Sequence, residues 1–309
     1  MKRRDFILKS VSLGALSGAA MALGKTRDIF AAEAIHHALP YDMVAIKGGE
    51  PDVMFDKAMA SLGGMKQFVK PNQTVVIKPN IGWDTTPEKA ANTNPVLVGR
   101  IVEHCKMAGA KSVYVFDHTC NEGSRCYKNS GIEDAVKKAG GTMVSGISES
   151  YYHPVEIKKG RNLKNAKVHE LILESDVFIN VPILKTHGGA SLTMCMKNLM
   201  GVVWDRGFWH DNDLHQCIAD FATFKKPALN VVDAYRVMKR NGPRGVSVAD
   251  VISMKYQIIG TDMVAADAAA AKVFGIEPSR IKHIALAEAL GAGTSKLESL
   301  NINRITLQE

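Results

Sequence analysis

The chain is 309 residues long, 46% hydrophobic and 23% charged, with 39 Lys plus Arg against 31 Asp plus Glu and a formal net charge of +8. This length and composition supply ample material for a buried core and exclude a fibrous or wholly disordered chain. The charge excess is modest and no Lys/Arg block with interleaved aromatics occurs, so no nucleic-acid footprint is indicated, while a local basic pocket for an anion stays open.

The first segment, "MKRRDFILKSVSLGALSGAAMALG", pairs Arg3 with Arg4 and follows them with a mildly apolar run from Val11 to Leu23. This is the grammar of a twin-arginine export signal, with cleavage expected near Ala34 in "AEA". The run is short and weakly apolar against the about 20 strongly apolar residues a membrane span needs. Residues 1–34 are therefore read as a leader and 35–309 as one α/β domain of an exported, periplasmic protein. Removing the leader's six basic and three acidic residues takes the net charge from +8 to +5. The twin-arginine route carries folded proteins, which fits a cofactor inserted, or a redox partner bound, before transport.

Short β-branched runs follow at 43–47, 74–80, 112–117, 176–182, 228–235 and 256–262. Amphipathic stretches lie between and after them, near 52–62, 95–108, 131–139, 191–200, 213–223, 262–274 and 279–290. The alternation predicts an α/β fold with a mostly parallel, helix-covered sheet. In such sheets ligands bind beyond the carboxyl ends of the strands. At those ends stand Lys78 and Asn80, Asp117 and His118, Asn180 with Lys185 and His187, Asp233, and Asp262. Any one of them has a structural explanation as a turn or cap residue, whereas the set suggests loops converging on one site.

The five cysteines, Cys105, Cys120, Cys126, Cys195 and Cys217, form no CxxC pair, so no ferredoxin-type cluster or structural zinc module is encoded. In an oxidising compartment Cys120 and Cys126 are candidates for a local disulfide. No nucleophile elbow, Walker loop, Rossmann glycine fingerprint or HExxH motif occurs.

The pieces "VVIKPN", "SDVFINVPILKTHGGASLTMCMKNLMG", "LHQCIADF", "LNVVDAY", "NGPRG" and "GTDMVAADAAAAKVFGI" run in order from about Val75 to Ile276. Together they resemble the DUF362 family, a domain of unknown function sometimes fused to iron-sulfur modules. The resemblance implies a shared fold and site but no reaction, and the missing cysteine-rich module sets this chain apart from the fused members.

In "VPILKTHGGAS", Pro182 is expected to stop a strand and Ser191 to begin a helix, placing Lys185 and His187 in the loop between. Free N–H groups at the helix start, with Lys185 and Lys78, would suit a carboxylate or phosphate. His187 is read as a metal ligand or a proton carrier. Lys197 points either into the site or to solvent, and the resemblance favours a role for it and for Asn198. Catalytic candidates are thus His187, Lys185 and Lys197; ligand-binding candidates are Lys78, Asn80, Asn180, Asn198 and Gly242, the last in a "KRNGPRG" turn that could close over the site. A divalent metal could be held by His187, His215 and an aspartate, Asp117 or Asp233. Asp267, between alanines, needs a buried partner such as Lys78, Lys185 or Lys197. The expected function is an enzyme or redox-associated protein for a small anionic ligand; the alternative is a non-catalytic periplasmic binder or maturation partner of an iron-sulfur or other redox complex.

Overall fold

The computed structural model describes residues 39–308, so the leader read at 1–34 lies outside the described residues. The strands are β1 (Met43–Lys47), β2 (Thr74–Pro79), β3 (Ser112–Val115), β4 (Thr142–Met143), β5 (Tyr152–Glu156), β6 (Asn165–His169), β7 (Val177–Val181), β8 (Ile183–His187), β9 (Ser191–Thr193), β10 (Leu229–Met238), β11 (Val251–Gly260) and β12 (Ile302–Thr306). The helices are α1 (Pro51–Ser61), α2 (Pro95–Met107), α3 (Gly123–Asn129), α4 (Ile132–Lys138), α5 (Glu170–Glu174), α6 (Cys195–Asn198), α7 (Gly207–Asp211), α8 (Leu214–Phe221), α9 (Met263–Phe274) and α10 (Lys282–Ala289).

Ten strands form one sheet whose main path is β12-β1-β11-β10-β7-β2-β3-β4. Every pairing along it is parallel except those of β11, which runs against β1 and β10. The expected mostly parallel, helix-covered α/β fold is what forms. Because side chains alternate across a strand, each central strand feeds two cores. Val75 and Ile77 of β2, with Val177 and Ile179 of β7, pack under α1 and α2 on one face. Val76, Phe178 and Val232 pack under α8 and α9 on the other. The β5–β6 hairpin is a separate two-stranded sheet.

All six predicted strands are present, with β10 and β11 longer than expected. The segment after β7 differs. Pro182 interrupts the ladder for one residue, having no N–H to donate, yet its carbonyl accepts from Asp233 N at 2.9 Å and the chain resumes as β8 alongside β10. Ser191 begins the short strand β9 rather than a helix, and β8 and β9 pair antiparallel with Lys185 opposite Thr193. Lys185 and His187 are therefore hairpin residues rather than loop residues before a helix, and the helix expected from Ser191 begins only at Cys195. Asp233 lies in the middle of β10 rather than at a strand end.

Candidate functional site

The site begins as a polar row across three neighbouring strands. Lys78, Asn180 and Asn230 occupy adjoining register positions of β2, β7 and β10. They share the face that otherwise presents Val76, Phe178 and Val232 to the core. A buried polar group left unpaired loses about 1–3 kcal/mol, so the row needs partners, and Asn198 of α6 supplies them. Its Oδ1 accepts from Lys78 Nζ at 2.8 Å and Asn80 Nδ2 at 3.0 Å. Its Nδ2 donates to Asn180 Oδ1 at 2.9 Å and Lys78 O at 3.2 Å. Both acceptor and both donor positions of one amide are used. Asn180 passes the network on to Asn230 Oδ1 at 3.1 Å.

Beside this row Lys78 Nζ lies 2.9 Å from Asp117 Oδ1, and both side chains are buried. Burial pulls the Lys78 ammonium below the usual lysine range, and Asp117 opposes that pull. The second carboxylate oxygen accepts from Ile81 N at 2.7 Å. Gly201 closes over the pair: a Cβ there would overlap Asp117 Oδ1 and come within 2.6 Å of Lys78 Nζ.

A cavity of about 410 Å³ opens above this floor. It lies beyond the carboxyl ends of β2 and β3, where the chain leaves β2 toward β3 and leaves β7 toward β10 on the opposite side. That reversal is where open α/β sheets leave a crevice. Of the residues singled out in the sequence, Lys78, Asn80, Asp117, Lys185, His187, Lys197 and Asn198 line it. His118, placed with Asp117 at a strand end in the sequence, lines it too, as do Thr193, Arg206 and Cys120, which the sequence did not mark for the site. Reading "GASLT" as a strand would have placed Thr193 beside Lys185; no local signal marks Arg206.

The lysines differ in their partners. Lys185 Nζ donates to Asn80 Oδ1 at 3.1 Å and to the Ala91 carbonyl, and burial brings it down to about 7. A neutral amine has two N–H groups and one lone pair, so these two acceptors satisfy its donors and leave the lone pair free. Lys197 has no hydrogen-bond or ion-pair partner among the described residues, and burial brings it to about 8. His187 Nδ1 accepts from Gly189 N at 3.1 Å and Ala190 N at 3.2 Å, which assigns the ring proton to Nε2. Burial, then Lys197 and Lys185, push His187 to about 3. Near-neutral titration thus belongs to the lysines rather than to His187.

Arg206 donates to the His118 and Thr119 carbonyls, each at 2.9 Å, and its Nη1 lies 3.7 Å from Cys120 Sγ. The Thr193 hydroxyl is buried with no hydrogen-bond partner among the described residues.

Other expected members lie elsewhere. Asp233 accepts from Asn94 N at 2.7 Å and Tyr235 N at 3.0 Å, away from the cavity. His215 Nδ1 faces His283 Nδ1 at 3.0 Å. The four metal candidates His187, His215, Asp117 and Asp233 are not gathered at one point, and among the described residues no group of three or more His, Cys, Asp or Glu could hold a metal ion. Asn180 lies beneath the cavity floor. A Cβ at Gly242 would overlap the Thr186 carbonyl, so this glycine lets its loop pack against β8, and Pro243 is the loop residue that reaches the cavity. Asp267 pairs with no lysine among the described residues; it accepts from Cys195 N at 2.5 Å and Met196 N at 3.1 Å, anchoring the start of α6. Burial nonetheless raises its carboxyl to about 7. All five cysteines are free, with Cys120 exposed and Cys126 buried, so the expected local disulfide is not formed.

Fold and site define an α/β protein with a cation-lined pocket at the switch point of its sheet. Residues 75–272 match the family described as Domain of unknown function (DUF362), and the chain belongs to that family. The chain is 24% identical over 254 residues to the Thylakoid-associated protein sll1697 of Synechocystis sp., covering 77% of this chain and 74% of that one. Two solved structures align with the chain. A protein from Thermotoga maritima aligns at 12% identity and a TM-score of 0.45, over 78% of this chain and 60% of its own. The lactate racemase apoprotein from Thermoanaerobacterium thermosaccharolyticum aligns at 13% identity and a TM-score of 0.45, over 80% of this chain and 56% of its own. The chain thus spans less than two thirds of either solved structure. Among the described residues no helix is long and apolar enough to cross a membrane.

Proposed function

We propose that the chain is an enzyme acting on a small anionic substrate by proton transfer. Lys197, Arg206 and the His187 Nε2–H hold the negative group, and the Lys185 amine is the base. One observation carries the reading: Lys185, Lys197 and Arg206 all line the cavity, while the carboxylate there, Asp117, is already paired with Lys78. Lys197 and Arg206 are half-buried and have no carboxylate partner among the described residues, and cations partly withdrawn from water favour an anion that supplies the counter-charge. A lysine brought to about 7 is matched to general-base work near neutral pH. The buried, unpartnered Thr193 hydroxyl is a further donor for the same ligand. Export by the twin-arginine route belongs to the proposal as well, supported by the sequence of residues 1–34.

The test is calorimetry with acetate, glycolate, glyoxylate, succinate and inorganic phosphate. Binding of at least one at a single site, lost in Lys197→Met, is expected; no heat from any of them contradicts the anion site. Deuterium exchange into a bound carboxylate, lost in Lys185→Met while binding persists, separates an enzyme from a binder.

A further inference from the structure

The anion cavity adjoins a second, larger one of about 1060 Å³, and His118, Arg206 and Gly207 line both. Gly207 has no side chain, so the divide at that point is backbone alone. The outer cavity lies between the β5–β6 hairpin and the segment from Trp204 to Phe208. That segment is fixed: Trp204 N donates to Lys167 O at 3.0 Å, and the Trp204 ring stacks on His118 with centroids 4.9 Å apart.

The two cavities differ in chemistry. The inner one holds cations in search of a charge. In the outer one Lys167 Nζ meets Glu149 Oε1 at 2.5 Å, Lys164 Nζ donates to Gly160 O at 2.6 Å, and Asp205 Oδ1 accepts from Phe208 N at 3.4 Å. Its apolar surface comes from Pro154, Leu163, Trp204 and Phe208, and the Phe208 side chain is 40% exposed. Aromatic and apolar walls with a few fixed polar groups are the usual lining of a site for a neutral ring.

We infer that the substrate is a two-part molecule, an anionic head group carrying an uncharged aromatic tail. The head lies among Lys185, Lys197 and Arg206; the tail passes Gly207 and lies against Trp204 and Phe208. This rests on the anion site proposed above and extends it to the class of substrate.

Calorimetry on the whole protein compares propionate with 3-phenylpropionate and 5-phenylpentanoate, with phosphate and phenyl phosphate as a second pair and 3-phenylpropanol as the uncharged control. The better aryl anion is expected to bind at least about tenfold tighter than its short partner. In Phe208→Ala that ratio falls toward one. Equal affinity of short and aryl anions overturns the tail and leaves the anion site standing. An alcohol that binds as tightly as the acid also overturns it, because the outer cavity then acts alone. Failure of every anion, short and aryl, removes the head site and the two-part substrate together.

Discussion

Lys78 and Asp117 form a buried ion pair at 2.9 Å, and the Gly201 backbone passes directly over it. The pair links β2 to the loop after β3 and sets the floor of the cavity. Removing one charge of such a pair strands the other, at a typical loss of about 3–5 kcal/mol. Asp117→Asn is therefore expected to lower unfolding stability by about that amount in denaturant titration. A loss under about 1 kcal/mol would mean that Lys78 finds its compensation elsewhere.

Gly201→Ala tests the same contact from above. The new methyl would meet the carboxylate and the ammonium with little room to move, since both are fixed by other hydrogen bonds. Overpacking of this kind typically loses about 1–3 kcal/mol. Equilibrium unfolding should show at least that loss, with impaired anion binding in the fraction that folds.

Lys197 makes the opposite prediction. Its ammonium is half-buried without a partner among the described residues, so Lys197→Met should leave the ligand-free protein as stable or slightly more stable, by less than about 1 kcal/mol at neutral pH, while abolishing anion binding. Loss of stability together with retained binding would show that Lys197 serves the fold instead.

Lys185 gives stability a pH dependence of known sign. Its folded value of about 7 lies below the ordinary 10.5. Between those values the unfolded chain holds a proton that the folded chain lacks, so stability rises with pH across the window. Below about pH 7 the buried ammonium opposes folding in full. The difference in urea midpoint between wild type and Lys185→Met should therefore shift in favour of wild type from pH 7 to 10.5. Anion affinity should fall above about pH 8, as Lys197 loses its proton beside Lys78, Asp117, Cys120, Arg206, His118, His187 and His210.

The thiols are countable. Of the five cysteines Cys120 alone is exposed, so a native thiol titration should show one fast group, absent in Cys120→Ser and slowed by a bound anion. No reactive thiol would point to a disulfide.

Much of the fold was legible because parallel strands buried on both faces read as continuous β-branched runs, as in "TVVIKP" and "VFINV". The site was legible in part for the same reason: Lys78 and Asn180 interrupt those runs, and a polar residue inside a core strand needs a partner. The short hairpin β8–β9 was not legible. Pro182 and the two following glycines are ordinary strand-stop and turn signals, and only the pairing with β10 shows that the strand resumes. Asp267 was rightly marked as needing a buried partner, but its partners are backbone N–H groups, which sequence does not display. Arg206 enters the site through contacts with the His118 and Thr119 carbonyls far along the chain, which no local pattern announces.

A lysine that titrates near neutral pH inside an anion site can be observed by NMR titration of ¹³C-labelled lysine side chains. One lysine signal should titrate at about 7, be missing in Lys185→Met, and move upward when a saturating small anion is present. Lysine signals that all titrate in the ordinary range near 10.5, unmoved by any anion, would contradict it.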